Sequence, residues 1–166
     1  MTSKTTALFV QYREQGIIVD TNILLLYVVG VTNRQRIQKF KRTCQFLPED
    51  FDLLKQILAY FKMVITTPSI LTEVNSLANQ LGEPERSRCL SRLKVLMSRL
   101  EEKYQRSATI AEDQYFQRFG LTDCGILSLA NARYLVLTDD LRLTNHLNSY
   151  GIDAVNFNNL RELNWK

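Results

Sequence analysis

Three acidic residues, Asp20, Glu73 and Asp123, stand alone in stretches of the chain that are otherwise apolar or neutral, and a fourth position holds two adjacent acids, Asp139 and Asp140. Carboxylates brought within about 4–6 Å of one another repel, so a cluster of them is costly unless something neutralises it. A divalent cation does so, and oxygen ligands without a suitably placed His or Cys favour Mg²⁺ or Mn²⁺ over Zn²⁺. Such an ion can bind a phosphodiester, activate water and stabilise the leaving oxygen.

Each acid also has a purely structural interpretation. Asp123, beside Thr122, suits a first-turn acid that interacts with the helix dipole, worth about 0.3–1 kcal/mol. Asp139 and Asp140 suit the N-cap of a following helix, and Glu73 suits a solvated helix face. Asp20 is harder to explain in this way, because an acid directly after Ile-Ile-Val has to face a cleft or a partner.

The elements that must position these acids alternate along the chain. Short apolar runs predict strands over residues 17–19, 63–65, 134–137 and 154–157. Helical spacing and capping residues predict helices over 5–15, 24–29, 34–46, 49–61, from 67 onward, and over 83–104, 110–119, 122–132 and 141–150. This alternation predicts an α/β fold, a parallel sheet flanked by helices on both sides. Neither linker nor repeat divides residues 1–166, so we predict one domain whose first 16 residues form a leading helix.

In an open parallel sheet the ligand site lies beyond the carboxyl ends of the strands. Asp20 ends the first predicted strand, and Asp139 and Asp140 end the third. Glu73 lies in the second turn of the helix after the second strand, and Asp123 lies in the first turn of a helix before the third strand. All of them are therefore expected at one edge of the sheet, although more than a hundred residues separate the first from the last.

The charge of the chain is mildly positive, at +4 with a pI near 9.0. Residues 34–42 form a basic run without an acid, and residues 86–106 are also strongly basic. Such segments suit a polyanionic partner, and their alternative interpretation is two solvated helix faces.

Other features of the sequence bear on the location of the protein and on other kinds of site. No apolar run approaches the roughly 20 residues of a membrane span, and the N-terminus does not resemble a signal peptide. Three cysteines without a CxxC pattern predict reduced, mostly buried thiols of a cytoplasmic protein. His146 is the only histidine, and we expect it at the surface rather than as a ligand.

Four segments resemble the motifs of the PIN-domain ribonucleases, in the same order. Residues 17–24 read Ile-Ile-Val-Asp-Thr-Asn-Ile-Leu, and residues 66–74 read Thr-Thr-Pro-Ser-Ile-Leu-Thr-Glu-Val. Residues 120–127 read Gly-Leu-Thr-Asp-Cys-Gly-Ile-Leu, and residues 135–140 read Leu-Val-Leu-Thr-Asp-Asp. The four motifs span nearly the whole chain, which makes the resemblance specific, although this chain carries more helix than the compact toxin members of the family.

The resemblance implies a three-layer sandwich around a parallel sheet, Mg²⁺ or Mn²⁺ bound by the acids, and hydrolysis of RNA. Asp20 and Asp123 would be metal ligands, and Glu73 would be a ligand directly or through water. The fourth acid of the family is the last letter of Thr-x-Asp, Asp140 here, with Asp139 left open. Asn22 and Thr138 would support the metal ligands or position the substrate. Many members are toxins paired with an antitoxin protein, and many form homodimers.

These observations together predict a metal-dependent endoribonuclease with one or two metal ions. Basic residues would hold the RNA backbone through phosphate contacts: Arg34, Arg36, Lys39, Arg86, Arg88 and Arg92. The alternative is a PIN-like module with weak or no catalysis that binds RNA or a protein partner. The sequence does not identify the RNA.

Overall fold

A five-stranded, all-parallel sheet forms the centre of the protein in the computed structural model, which describes residues 3–131 and 133–164. The strand order is β3-β2-β1-β4-β5. The strands are β1 (Ile17–Val19), β2 (Val64–Thr66), β3 (Glu101–Glu102), β4 (Leu135–Thr138) and β5 (Ala154–Asn156). The order reverses between β1 and β4, the type of position at which open α/β sheets bind their ligands.

Helices precede, connect and follow the strands. They are α1 (Ser3–Tyr12), α2 (Thr21–Thr32), α3 (Pro48–Tyr60), α4 (Pro68–Ala78), α5 (Glu85–Met97), α6 (Ser107–Ala111), α7 (Phe116–Ala130), α8 (Leu141–Ser149) and α9 (Phe157–Asn164), with a 3-10 helix at Arg34–Lys39. Every residue of β1 and β4 is buried. Successive strand residues face opposite sides of a sheet, so both faces are covered by helices. The predicted α/β class is confirmed.

Helix α2 is the apolar centre of one layer. Its sequence carries no charged residue, and Ile23, Leu24, Leu25 and Leu26 are all at most 1% exposed. A helix that is apolar on all sides belongs inside a protein, and α2 packs against α3, α4 and α5. Because α2 begins immediately after β1, its burial also fixes the position of Asp20 at the edge of the sheet.

The four predicted strands are confirmed to within one residue at each end. The long helix predicted over 83–104 is wrong, because α5 ends at Met97 and the chain then forms the edge strand β3. Glu101 and Glu102 pair with Ile65 and Thr66 of β2, a contact that helical spacing in the sequence does not reveal. The helix predicted over 34–46 is wrong beyond Lys39, where the 3-10 helix gives way to turns.

The helices before β4 differ in detail from those predicted from the sequence. Gly120, with φ 74° and ψ −173°, interrupts the helical path as predicted, so α7 (Phe116–Ala130) consists of two helical segments on either side of it. The predicted helix over 110–119 is instead the short α6 and the start of α7. The end predicted at residue 132 lies outside the described residues.

The leading helix ends at Tyr12, earlier than predicted. The strand predicted to reach Phe157 ends at Asn156, and Phe157 begins α9, a helix that sequence analysis did not predict. Across the described ranges, the helices are too short or too polar to cross a lipid bilayer.

Candidate functional site

The structure places all five predicted acids at the carboxyl edge of the sheet. Asp20 is the N-cap of α2, and its backbone N–H donates to Leu137 of β4 at 3.0 Å. Asp140 is the N-cap of α8 directly after β4, and Asp139 precedes it. Glu73 lies in α4, and Asp123 lies in the helical segment after the Gly120 break.

Asp20 is held rigidly at this edge. Asp20 is only 7% exposed, and each of its carboxylate oxygens accepts a hydrogen bond. Oδ1 accepts from the Thr21 backbone N–H at 2.6 Å, and Oδ2 accepts from the Thr138 hydroxyl at 2.6 Å. Burial raises the pKa of Asp20 to about 6, with the hydrogen bonds from Thr138 and Thr21 opposing the shift. Desolvation of the charged form therefore exceeds what the two donors recover.

Glu73 is fixed from both sides by threonines. The hydroxyl of Thr21 donates to Oε2 at 2.8 Å, and the hydroxyl of Thr122 donates to Oε1 at 2.5 Å. These threonines belong to α2 and α7, so Glu73 links three helices. Thr122 does not cap the helix predicted over 122–132, because it lies inside the helical segment that follows Gly120, and its hydroxyl donates to this carboxylate.

Asp123 has a different environment. It is half-buried, and it accepts no hydrogen bond from any residue in the described ranges. Burial is the largest cause that raises the pKa of Asp123 to about 7, followed by the negative charges of Asp20, Asp140 and Glu73. The positive charge of Arg142 opposes the shift. Asp123 thus lies within electrostatic reach of three other carboxylates.

The two acids after β4 have separate roles in the structure. Asp139 is half-buried, accepts a hydrogen bond from Asn22 Nδ2 at 3.2 Å, and has its pKa raised chiefly by burial. Asp140 is exposed, and its Oδ1 accepts from the N–H groups of Arg142 and Leu143 at 2.6 and 3.1 Å. One oxygen of Asp140 therefore caps α8, as its structural interpretation predicted. The negative charge of Asp140 also contributes to the raised pKa of Asp123.

Sequence reasoning did not assign a site role to Thr21, Thr122 or Arg142. The two threonines flank acids in the motifs, and a hydroxyl next to a candidate ligand is the signal that would have found them. Arg142 lies in the first turn of α8, is exposed, and forms no ion pair within the described part of the chain. Thr138 and Asn22, which were predicted, hold Asp20 and Asp139.

The chemistry of the donor set fits a hard divalent cation. Every candidate ligand is a carboxylate, and the raised pKa values of Asp20 and Asp123 reflect buried and mutually repelling charge that a cation offsets. As they stand, however, no three His, Cys, Asp or Glu side chains within residues 3–131 and 133–164 are grouped so that they could hold a metal ion.

The six predicted RNA-backbone residues fall into distinct environments. Arg34 pairs with Glu49 and Asp52, and Arg86 pairs with Glu83. Arg88 and Arg92 are exposed along α5, beside Thr32. The two remaining residues are Arg36, whose Nε is buried without a partner among the described residues, and Lys39, which is exposed.

His146 is less exposed than expected. It is half-buried and lies among the rings of Tyr115, Phe119 and Tyr150, with centroids 4.5–4.9 Å away. It belongs to an aromatic cluster and does not contribute to the carboxylate site. Of the cysteines, Cys89 and Cys124 are buried and Cys44 is exposed, all as free thiols.

Comparison with known proteins does not add a family assignment. No protein-family model matches the chain, and no curated protein matches it at a significant level. The motifs and the geometry of the carboxylate edge are therefore the features of this chain that bear on its function.

Proposed function

We propose that the protein is a metal-dependent endoribonuclease of the PIN type. One observation carries the proposal: five carboxylates from distant parts of the chain lie at the carboxyl edge of the parallel sheet, where Asp123 is within electrostatic reach of Asp20, Glu73 and Asp140. Clustered, partly desolvated carboxylates cost stability, and a purely structural role gains nothing from that cost. The four motifs, which carry these carboxylates, support the PIN assignment.

Asp20, Asp123 and Glu73 are the residues that would hold Mg²⁺ or Mn²⁺, with Asp139 or Asp140 as the fourth acid. The ion would supply stabilisation of the phosphodiester charge and activation of water. Asp20 has the most fixed geometry, because both of its oxygens accept hydrogen bonds. Asp123 has oxygens without a donor in the described part of the chain, which leaves them available to a ligand.

The protein's own groups maintain this arrangement. Thr21 and Thr122 hold Glu73 in one orientation, and Thr138 holds Asp20 while also accepting a hydrogen bond from the Asp140 N–H at 3.0 Å. Arg142 adds one positive charge beside Asp123, where it can attract a phosphate. The net charge of +4 supports a polyanionic substrate. An antitoxin partner and a homodimer stay predictions of the family resemblance.

A nuclease assay tests this function. We expect the wild-type protein to cleave mixed single-stranded RNA with Mn²⁺, and Asp20→Asn and Asp123→Asn each to lose at least about 100-fold in rate, because each removes a ligand charge. Glu112→Gln, an exposed acid elsewhere on the surface, is the matched control and keeps full activity. Equal inactivity of all four proteins across many substrates would favour the binding module instead.

Metal linkage gives an independent readout. A ligand that binds only the folded state stabilises it by RT ln(1 + [L]/Kd), about 2.7 kcal/mol at a hundredfold excess over Kd. Mn²⁺ should therefore raise the melting temperature of the wild type and of Glu112→Gln, but not that of Asp123→Asn. A shift that persists in Asp123→Asn would place the metal elsewhere.

A further inference from the structure

A cleft of about 550 Å³ opens directly beside the carboxylates. It lies between the beginning of α4 and the kinked part of α7, and two of the proposed metal ligands form part of its wall. It is lined by Pro68, Ser69, Thr72, Glu73, Phe119, Gly120, Leu121, Thr122 and Asp123. Its volume lies within the range of about 300–1,000 Å³ typical of small-molecule sites.

The charge of this cleft excludes a phosphate from its interior. Glu73 and Asp123 are the charged residues of the lining, and neither Lys nor Arg contributes to it. A phosphate group belongs at the carboxylates, where a cation compensates its charge. The rest of the cleft suits a neutral part of a ligand whose phosphate is bound next to it.

The walls of the cleft combine apolar surface with hydroxyl groups. Pro68, Phe119 and Leu121 supply the apolar surface. The hydroxyls of Ser69 and Thr72 form no hydrogen bond with any described residue. This is notable for Thr72, because a threonine inside a helix commonly donates to the carbonyl four residues before it. Both hydroxyls can therefore donate to, and accept from, a ligand in the cleft.

We propose that this cleft is a subsite for the nucleobase of the nucleotide adjacent to the scissile phosphate. A nucleobase is neutral and flat, with apolar faces and hydrogen-bonding edges, and the cleft offers it apolar contact and two hydroxyls. The inference rests on the proposed function for the position of the phosphate. The inference adds that the affinity for a nucleotide depends on its base, and that Ser69 and Thr72 contact this base.

The experiment compares the binding of nucleoside 5′-monophosphates (AMP, CMP, GMP and UMP) with that of ribose 5-phosphate, which lacks the base. Binding is measured by calorimetry in Mg²⁺ buffer. Stacking of a base on an aromatic side chain is typically worth about a tenfold gain in affinity or more, and Phe119 is the aromatic residue of the lining. We expect at least one nucleotide to bind about tenfold more tightly than ribose 5-phosphate to the wild type.

Two variants of α4 make the test specific. Thr72→Trp fills the cleft and should abolish the advantage of the nucleotides, while Thr72→Val removes the hydroxyl and should reduce it. Ala59→Trp is the control for the added indole, because Ala59 is exposed and lies on α3, outside the lining of the cleft. It should leave the advantage unchanged, and circular dichroism shows whether each variant is folded.

The subsite is overturned if ribose 5-phosphate binds as tightly as every nucleotide, if nothing binds, or if folded Thr72→Trp keeps the advantage. RNA cleavage by the wild type in any of these cases would show that the nuclease function survives without the subsite. The opposite result is also informative. If the wild type does not cleave RNA but binds a nucleotide more tightly than ribose 5-phosphate, and Thr72→Trp loses this difference, the subsite is supported and the catalytic proposal is overturned.

Discussion

Asp123 and Glu73 show at the scale of single residues how environment separates two carboxylates of one cluster. Glu73 accepts hydrogen bonds from two threonine hydroxyls. Asp123 accepts none from the described residues, and burial and neighbouring negative charge raise its pKa to about 7. Burial without a hydrogen-bond donor destabilises the charged form of a carboxylate. A bound cation would therefore stabilise the charged form of Asp123.

The metal-free protein should lose stability as the pH rises from about 4 to about 7. The folded-state pKa values of Asp20 and Asp123, about 6 and about 7, lie above the ordinary value of 3.8. The folded state thus holds these protons more tightly than the unfolded state, and that advantage disappears as both states deprotonate. Urea unfolding in EDTA measures the trend. Asp123→Asn should flatten it, and a wild-type curve that rises across this pH range would contradict the assigned environments.

Thr122→Val should lower the rate of RNA cleavage by about tenfold with a smaller change in KM. The substitution preserves shape but removes the hydroxyl that orients Glu73, and the loss of a hydrogen bond to a charged group costs about 1.5–3 kcal/mol. Steady-state kinetics measures the effect, with urea unfolding to confirm the fold. Thr122→Ser keeps the hydroxyl and should restore most of the rate, whereas an equal loss in both variants would indicate that only packing matters.

At the scale of elements, the break in α7 determines where Asp123 lies. Gly120 adopts φ 74° and ψ −173° inside an otherwise helical segment. A residue with a side chain is strained in this conformation, whereas glycine adopts it readily. The break lets the segment from Leu121 onward begin a new path, which carries Thr122 and Asp123 toward Glu73. Without it, α7 would continue straight from Phe116.

Gly120→Ala should destabilise the protein by about 1–2 kcal/mol, because alanine is strained at positive φ. It should also weaken the Mn²⁺-dependent thermal shift, since Asp123 moves with the helix. The matched control is Gly82→Ala, where φ is not positive and an added Cβ meets no atom within 4 Å. Thermal denaturation with and without Mn²⁺ measures both effects. A Gly120→Ala protein as stable as Gly82→Ala would contradict this role of the break.

At the scale of the whole molecule, a buried ion pair ties the C-terminal helix to the first half of the chain. Arg161 of α9 donates to Asp50 Oδ2 at 3.2 Å and to the Gln45 carbonyl at 2.7 Å, and its guanidinium lies 5.3 Å from the centroid of the Phe46 ring. Asp50 is fully buried and also caps α3 through the Leu47 N–H. The pair thus links two residues that lie 111 positions apart in the sequence.

Arg161→Met should cost about 3–5 kcal/mol of stability, because it leaves the Asp50 charge buried without a cation. Arg34→Met is the control. Arg34 pairs with Glu49 and Asp52 at the surface, where such pairs contribute about 0–1 kcal/mol. Chemical denaturation of the two variants should therefore give clearly different midpoints. Similar midpoints would show that the buried pair does not hold α9 in place.

Local patterns in the sequence are sufficient for the strands and for the edge at which the acids meet. Ile17–Val19 and the run before Asp139 predict buried parallel strands because they are apolar without alternation. The ends of parallel strands share one edge, so Asp20 and Asp139 follow from chain order alone. Edge strand β3 could not be predicted in this way, because Glu101 and Glu102 are exposed and owe their conformation to pairing with β2.

The sequence by itself determined the fold class and the identity of the candidate carboxylates, since both depend on residue type and spacing along the chain. Only the tertiary structure decided which hydroxyls hold those carboxylates and that Asp123 is left without a donor in the described part of the chain. It also decided that a cleft lined by neither Lys nor Arg opens beside Asp123. These properties depend on distances between residues far apart in sequence. Such distances are set by how the helices pack on the sheet.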